Sequence, residues 1–300
     1  MRALITGASG FLGTHLLSHL SKLGCELYTL GNSKIEGYKH YYIENTISRP
    51  IINKAIEEIR PDFIFHLAGD PLSNNILQSF SVNTFYALEI LQSLEDNNLD
   101  QSTKVILIGS AAEYGFKKDS ELPISESQVK LPMSLYGRTK LAQTEISMSW
   151  QEKNRKLFVL RPFNIIGPRM PLHLAMGSFI NQIRQMGDKG ILETGNLNVS
   201  RDFIDVRDAV NLMWNLANNE NSYGEVINLS SGSPSSLNEI VDKMVECSGK
   251  DIIVKTRKAL KRKNDMKIHY GDNSKLLQLV GNYRFLHYEE TIMNVFKSYV

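Results

Sequence analysis

Arg2-Ala3-Leu4-Ile5-Thr6-Gly7-Ala8-Ser9-Gly10-Phe11-Leu12-Gly13 is the stretch on which the reading of the fold turns. Residues 2–6 form a short, mostly apolar run of the kind that fills a buried strand. From Phe11 the pattern changes: Phe11, Leu12, His15, Leu16, Leu17, Leu20 and Leu23 recur at helical spacing. The three glycines fall at the turn between strand and helix. Lacking Cβ atoms, they permit unusual dihedrals and let backbone N–H groups approach an anion at the positive end of the helix. Their spacing, three and three, is a variant of the G-x-G-x-x-G dinucleotide fingerprint. A glycine turn with no ligand would carry the same residues. The flanking strand and helix favour a pyrophosphate site made from Gly7, Ser9, Gly10, Phe11, Leu12 and Gly13.

Outward from this turn, strands are predicted at residues 3–6, 26–30, 41–43, 63–67, 105–109 and 157–161. Helical patterns between them cover about 11–22, 51–59, 76–94 and 136–154. That alternation predicts right-handed crossovers and an α/β fold, a Rossmann-type doubly wound parallel sheet. Beyond Arg161 the rhythm loosens at Gly167-Pro168, Pro171, Gly187 and Gly190. The expected division is a dinucleotide-binding domain over 1–162 with a return segment at about 199–219. A smaller C-terminal α/β substrate lobe takes 163–198 and 220–300.

At 300 residues and 42% hydrophobic content, the chain can bury a full core. A net charge of +2 marks no nucleic-acid or acidic-membrane partner. Residues 255–267 are locally basic, which reads either as a solvated surface or as a site for a phosphorylated substrate. Cys25 and Cys247 are far apart and lack metal-type spacing, so neither a disulfide framework nor a metal site is expected. With no long apolar run and no secretory leader pattern, the expectation is a cytoplasmic protein without membrane contact.

A second motif, Tyr136-Gly137-Arg138-Thr139-Lys140, puts a tyrosine and a lysine one helical turn apart on one face. Hydride arriving at a carbonyl carbon leaves charge on oxygen, and Tyr136 can supply the proton that quenches it. A free phenol, with pKa about 10, exchanges sluggishly at neutral pH, so Lys140 is expected to tune it downward. The plain alternative is a surface helix pair. The glycine loop, and Ser110 at the end of the fifth predicted strand, weigh against it.

The ordered set of residues 6–13, His66-Leu67-Ala68-Gly69, Ser110-Ala111-Ala112-Glu113-Tyr114-Gly115, 136–140, Arg161-Pro162-Phe163-Asn164 and Arg201-Asp202-Phe203-Ile204-Asp205-Val206 spans most of the chain. It resembles the extended short-chain dehydrogenases/reductases, the group of nucleotide-sugar epimerases, dehydratases and reductases. Residues 161–168 and 271–275 resemble in particular its GDP-4-keto-6-deoxymannose reductases. The resemblance implies that Ser110 hydrogen-bonds the reacting oxygen and that Lys140 also holds the nicotinamide ribose. It places Leu67, Ala68, Gly69, Asn83 and Arg161 along the cofactor. Ser110, Ala111, Ala112 and Asn164 fall in the sugar site, and Arg201 clamps the diphosphate with Arg262 and Asp265 nearby. Other readings stay open: Arg201 paired with Asp202 or Asp205, His66 as a core histidine, Asn83 as a bridge between backbone groups. Many relatives dimerise through their two long helices, so a homodimer through 76–94 and 136–154 is implied.

Two features narrow the reaction. The dehydratases of this group carry acidic residues just after the serine, where this chain has Ala111 and Ala112, and methyl groups do no acid–base work. Glu113 stands one residue further on, facing the other way in an extended segment, and reads as a structural contact. The second strand meanwhile runs into Gly31-Asn32-Ser33-Lys34 with no carboxylate. NAD-binding chains usually place Asp or Glu there for the ribose hydroxyls, whereas this sequence could accept a 2′-phosphate. NADP(H) is therefore expected over NAD(H), with Asn32, Ser33 and Lys34 at the phosphate and Glu44 and Asn45 near the adenine. The alternative is an exposed polar turn.

The expected function is an NADPH-dependent 4-ketoreductase of a nucleoside-diphosphate 4-keto-6-deoxyhexose. The first choice of substrate is GDP-4-keto-6-deoxy-D-mannose, giving GDP-rhamnose. A dTDP-linked ketosugar reductase comes next, then a 4-epimerase with tightly bound NAD. A dinucleotide sensor without turnover would need only the glycine loop.

Overall fold

The computed structural model describes residues 1–44, 47–152, 155–172, 174–257, 259 and 266–298. β1 (Arg2–Thr6) runs through the glycine turn into α1 (Phe11–Lys22), followed by β2 (Glu26–Gly31) and β3 (Lys39–Tyr42). α2 (Arg49–Ile59) and β4 (Phe63–His66) lead to a long helix in three parts: α3 (Ile76–Phe80), a wide π turn at Ser81–Phe85, and α4 (Tyr86–Asp96). β5 (Lys104–Ile108), α5 (Leu135–Gln151) and β6 (Leu157–Pro162) complete the first half. The second half holds β7 (Asn164–Ile166), α6 (Ala175–Gln185), β8 (Lys189–Thr194), β9 (Ser200–Asp205), α7 (Val206–Ala217) and β10 (Val226–Leu229). It ends with β11 (Pro234–Ser236), α8 (Leu237–Ser248), β12 (Asp251–Thr256), β13 (Ile268–His269), α9 (Ser274–Val280) and α10 (Tyr288–Lys297).

The expected parallel sheet is present, with seven strands in the order β10-β6-β5-β4-β1-β2-β3. Alternation along each strand feeds two cores. Ala3, Ile5, Ile106, Phe158 and Leu160 face Leu16, Leu20 and Leu212 of α1 and α7. Leu4, Val105, Leu107 and Val159 face Ile52 and Ile90 of α2 and α4. Each fully buried side chain of this size contributes about 1.5–3 kcal/mol, so the helices are fixed from both sides of the sheet. A third core, around Phe179, Ile180, Ile240 and Ile292, belongs to the C-terminal elements. There β9 pairs with β7, β11 and β13, and β8 pairs with β12. Among the described residues no helix is long and apolar enough to cross a membrane.

The expected return segment at 199–219 needs correction. β9 belongs to the small sheet, whereas α7 packs on α1 and β10 joins the main sheet beside β6. The return is therefore α7 and β10, the latter inside the range assigned to the substrate lobe. β10 is only four residues long and carries the polar Asn228, too little pattern for a strand to be read from sequence.

Candidate active site

A groove of about 370 Å³ opens over the ends of β1, β2 and β4. Of the positions expected there, Gly7, Ser9, Gly10, Asn32, Ser33, Glu44, Leu67, Ala68 and Gly69 all line it. Gly7 sits at φ +64°, and a Cβ on it would lie 2.6 Å from the Ala68 amide nitrogen, so only glycine lets the turn close on the end of β4. Gly10 is the exposed N-cap of α1, whose first turn carries no acidic residue. Free N–H groups at that end fit a diphosphate, and the donor set as a whole fits a dinucleotide. Phe11, Leu12 and Gly13 are set back: the first two pack into the cores, and Gly13 is buried under the turn. Asn45 lies outside the described residues.

At the β2 end of the groove, Lys34 is exposed and stands close enough to His40 to act on its charge. Burial, then Lys34, hold the His40 imidazole below its usual value. His40 lines the groove and is anchored through Nδ1 to the Thr29 hydroxyl at 2.9 Å. Thr29, His40, Gln78, Val82 and Tyr86 are wall residues that sequence reasoning missed. Thr29 and His40 are partners in the β2–β3 register, which no local motif announces.

The second constellation assembles where β5 ends. Ser134 caps α5 by accepting from the Gly137 N–H at 3.0 Å, which fixes the turn carrying Tyr136. Tyr136 is half-buried and its hydroxyl hydrogen-bonds Ser110. Lys140 is buried; its ammonium donates to the Ile108 carbonyl at 2.8 Å and to Gln143 Oε1 at 3.0 Å. A Cβ on Gly69 would lie 3.5 Å from the Lys140 Nζ, so the groove and this constellation adjoin.

The expected downward tuning of Tyr136 is not what the structure gives. Burial pushes its phenol up to about 12, opposed by the hydrogen bond from Ser110 and reinforced by the Glu113 carboxylate. Burial pulls Lys140 down to about 8, against the same carboxylate. Desolvation disfavours each charged form, and the groups that act on the phenol are Ser110 and Glu113 rather than the Lys140 that i+4 spacing suggested.

Two positions expected along the cofactor point elsewhere. Arg161 is 1% exposed and forms an ion pair with the fully buried Glu113, Nε to Oε2 at 2.7 Å, behind β5. Asn83 sits in the π turn with its amide fully engaged. It accepts from the Asp70 N–H at 2.7 Å and donates to the Asp70 carbonyl and to Thr139 Oγ1 at 3.1 Å each. It thus bridges backbone groups and moors the Gly69–Asp70 turn to α5. His66 is a core histidine, bonded to Thr6 and lowered to about 3 by burial.

In the second half, Ala111 and Ala112 form a single turn after Ser110, and the Ala112 N–H donates to Ser110 Oγ at 3.1 Å. Asn164 donates to the Asp202 carbonyl at 2.8 Å, tying β7 to β9. Arg201 is half-buried on β9, donates to the Ser200 carbonyl and, after burial, is the second cause holding His269 down at about 4. Asp202 accepts from Ser231 and Gly232, and Asp205 pairs with Arg207 and Thr291. Arg262, Asp265 and most of the basic stretch at 255–267 lie outside the described residues. Among the described residues no three His, Cys, Asp or Glu side chains gather as a metal site would require.

Comparison with known proteins agrees with this architecture. Residues 3–230 match the family model described as the NAD dependent epimerase/dehydratase family. The chain is 30% identical to a GDP-6-deoxy-D-talose 4-dehydrogenase from Aggregatibacter actinomycetemcomitans, over 99% of this chain and 98% of that one. It is 26% identical to a GDP-6-deoxy-D-mannose reductase from Pseudomonas aeruginosa, covering 93% and 91%. The fold superposes on the structure of RMD from Pseudomonas aeruginosa complexed with NADPH, with a TM-score of 0.85 at 22% identity, covering 99% and 97%. This chain belongs to the NAD-dependent epimerase/dehydratase family and is an NAD(P)-dependent oxidoreductase.

Proposed function

We propose that the chain is an NADPH-dependent 4-ketoreductase acting on GDP-4-keto-6-deoxy-D-mannose. The observation that carries this reading is the hydrogen-bonded Ser110–Tyr136 pair, with the buried Lys140 on the same helix beside the Gly69 end of a dinucleotide groove and two alanines after the serine. The two named relatives support the substrate: 6-deoxy-D-talose and 6-deoxy-D-mannose differ only at C4, so both sugars correspond to the same 4-ketone.

When bound, a reduced nicotinamide would be the source of the two-electron hydride equivalent that the ketone carbon takes up. Ser110 holds the ketone oxygen by hydrogen bonding as charge builds on it. Tyr136 gives that oxygen its phenolic proton, and Lys140, one helical turn on, supplies positive charge to the site and would anchor the ribose. Asn32, Ser33 and Lys34 would hold the 2′-phosphate, and Glu44, on the groove wall, would serve the adenine end. Ala111 and Ala112 offer no group that could take a proton from the sugar ring, which disfavours water elimination.

The test is loss of reduced-nicotinamide absorbance with the GDP- or dTDP-linked ketosugar generated in situ. Oxidation of NADPH with the GDP sugar alone is the expected result. Oxidation with only the dTDP sugar would change the base, and no oxidation from protein that purifies with NAD would make it an epimerase. Proton NMR coupling at C4 then distinguishes GDP-D-rhamnose, the expected product, from GDP-6-deoxy-D-talose, which the 30% identical relative favours. Replacing Arg201 with Ala should raise KM for the sugar nucleotide about tenfold, by removing a charge-assisted contact to the diphosphate, and leave KM for NADPH within twofold. Equal effects on both would take Arg201 out of the substrate site.

We also propose a homodimer through α3–α4 and α5, where Ile76, Leu77, Phe85 and Ile146 are exposed at 62%, 79%, 50% and 48%. Light scattering at the monomer mass would reject it.

A further inference from the structure

Behind Ser110 lies a buried charge pair that hydride transfer does not by itself require. Glu113 is fully buried, and its two oxygens do different jobs. Oε2 takes the Arg161 guanidinium at 2.7 Å, and Oε1 accepts the Ser110 N–H at 2.8 Å. With Ser110 Oγ accepting from Ala112, this closes a capping box around the single turn Ala111–Glu113. A side chain at Gly109 would run into Glu113 Oε1, so the strand end is kept bare for the carboxylate. On the other side, a Cβ at Gly137 would stand 2.5 Å from the Ala112 carbonyl oxygen, so the same turn is seated against α5 one residue past Tyr136.

The pair also reaches away from the reacting atoms. Arg161 Nη1 donates to the Tyr114 hydroxyl at 3.1 Å, and that hydroxyl donates to Asn228 Oδ1 at 2.6 Å. Asn228 on β10 donates in turn to the carbonyls of Ile124, at 2.8 Å, and Asp272, at 3.2 Å, the latter just after β13. A buried ion pair is weak as a stabilising device, because well-packed apolar residues often do as well or better. Stability alone therefore gives little reason to keep it.

We infer that Glu113 is a positioning residue for the reaction: locked by Arg161, its carboxylate sets Ser110 against Tyr136 and ties their turn to Asn228 and Asp272. This rests on the catalytic roles given above to Ser110 and Tyr136. The charged and titratable groups around the carboxylate are Arg161 on β6, Tyr114 beside it with Glu126 acting on that phenol, and Tyr136 and Lys140 on α5. Its charge raises both α5 groups, favouring the protonated phenol and the ammonium, the forms that deliver a proton to a ketone.

Glu113→Gln keeps the shape and removes the charge. It should lower kcat roughly 10- to 100-fold, with KM for NADPH within twofold, and move the alkaline limb of kcat about one unit lower. Loss through misfolding would raise KM for NADPH as it lowers kcat, so a KM that rises in step, or an unmoved limb, overturns the inference. Should this variant not fold, Glu113→Gln with Arg161→Gln removes both buried charges, and the same readouts apply. A parent chain that turns over no ketosugar sinks the functional reading separately. Deuterium exchange of residues 109–115 with NADP⁺ added then decides: faster exchange in the variant supports the positioning role, and unchanged exchange overturns it.

Discussion

Tyr136→Phe should lower kcat for ketone reduction about a thousandfold while leaving the NADPH dissociation constant within twofold. General acid catalysis by a positioned side chain contributes about 10²–10⁴ in rate, and the phenol is the group set to provide it here. Phenylalanine keeps the ring and loses only the proton and the hydrogen bond to Ser110. The parent should show the matching pH behaviour. Burial holds Tyr136 at about 12, so it keeps its proton through the working range. Lys140, held at about 8 by burial, is the group that discharges first. The kcat for reduction should therefore be flat below pH about 8 and fall above it, as the ammonium becomes a neutral amine. Stopped-flow measurement of hydride transfer checks both statements. A Tyr136→Phe rate within tenfold of the parent would place the proton donor elsewhere, and a rate still rising past pH about 9 would remove Lys140 from the limb.

Much of this site could be read from the sequence because it is built from local devices. The glycine turn, the i+4 tyrosine–lysine pair and the strand-end serine each depend on residues close together in the chain. Their placement follows once the alternating strands are recognised. What could not be read depends on register and burial. Thr29 and His40 reach the groove only because β2 and β3 pair with those residues opposite each other. Asn83 is legible as a bridge between backbone groups, but the π turn that directs it and Thr84 onto Thr139 has no sequence signal in 76–94. Arg161 was placed by resemblance, and its true partner was already in view, since Ser110 and Glu113 have capping-box spacing. Treating 110–115 as extended hid that, because a tight turn returns the Glu113 carboxylate to the Ser110 N–H. The upward shift of Tyr136 was missed for a related reason: a helical wheel shows which charges share a face and says nothing about how much water is excluded.

Gly31→Asp should reverse the cofactor preference, weakening NADPH about a hundredfold relative to NADH. Gly31 lines the groove between Leu30 and Asn32, and a Cβ built on it meets nothing within 4 Å. Its backbone is not in the left-handed region, so aspartate fits without strain and the effect is electrostatic. A carboxylate about 5 Å from a phosphate charge costs roughly 3 kcal/mol at an effective dielectric of about 20, which corresponds to about a hundredfold in affinity. The same carboxylate accepts hydrogen bonds from the ribose hydroxyls of NADH, so that affinity should hold or improve. Fluorescence titration of both reduced cofactors against parent and variant measures the ratio directly. Lys34→Ala separates attraction from repulsion, since it removes a positive charge without adding a negative one and should weaken NADPH alone, about tenfold. If Gly31→Asp leaves the ratio unchanged, the 2′-phosphate does not sit at the end of β2. The open space at Gly31 is then an exposed turn, and the case for a reductase rests on Ser110, Tyr136 and the two alanines without support from the cofactor.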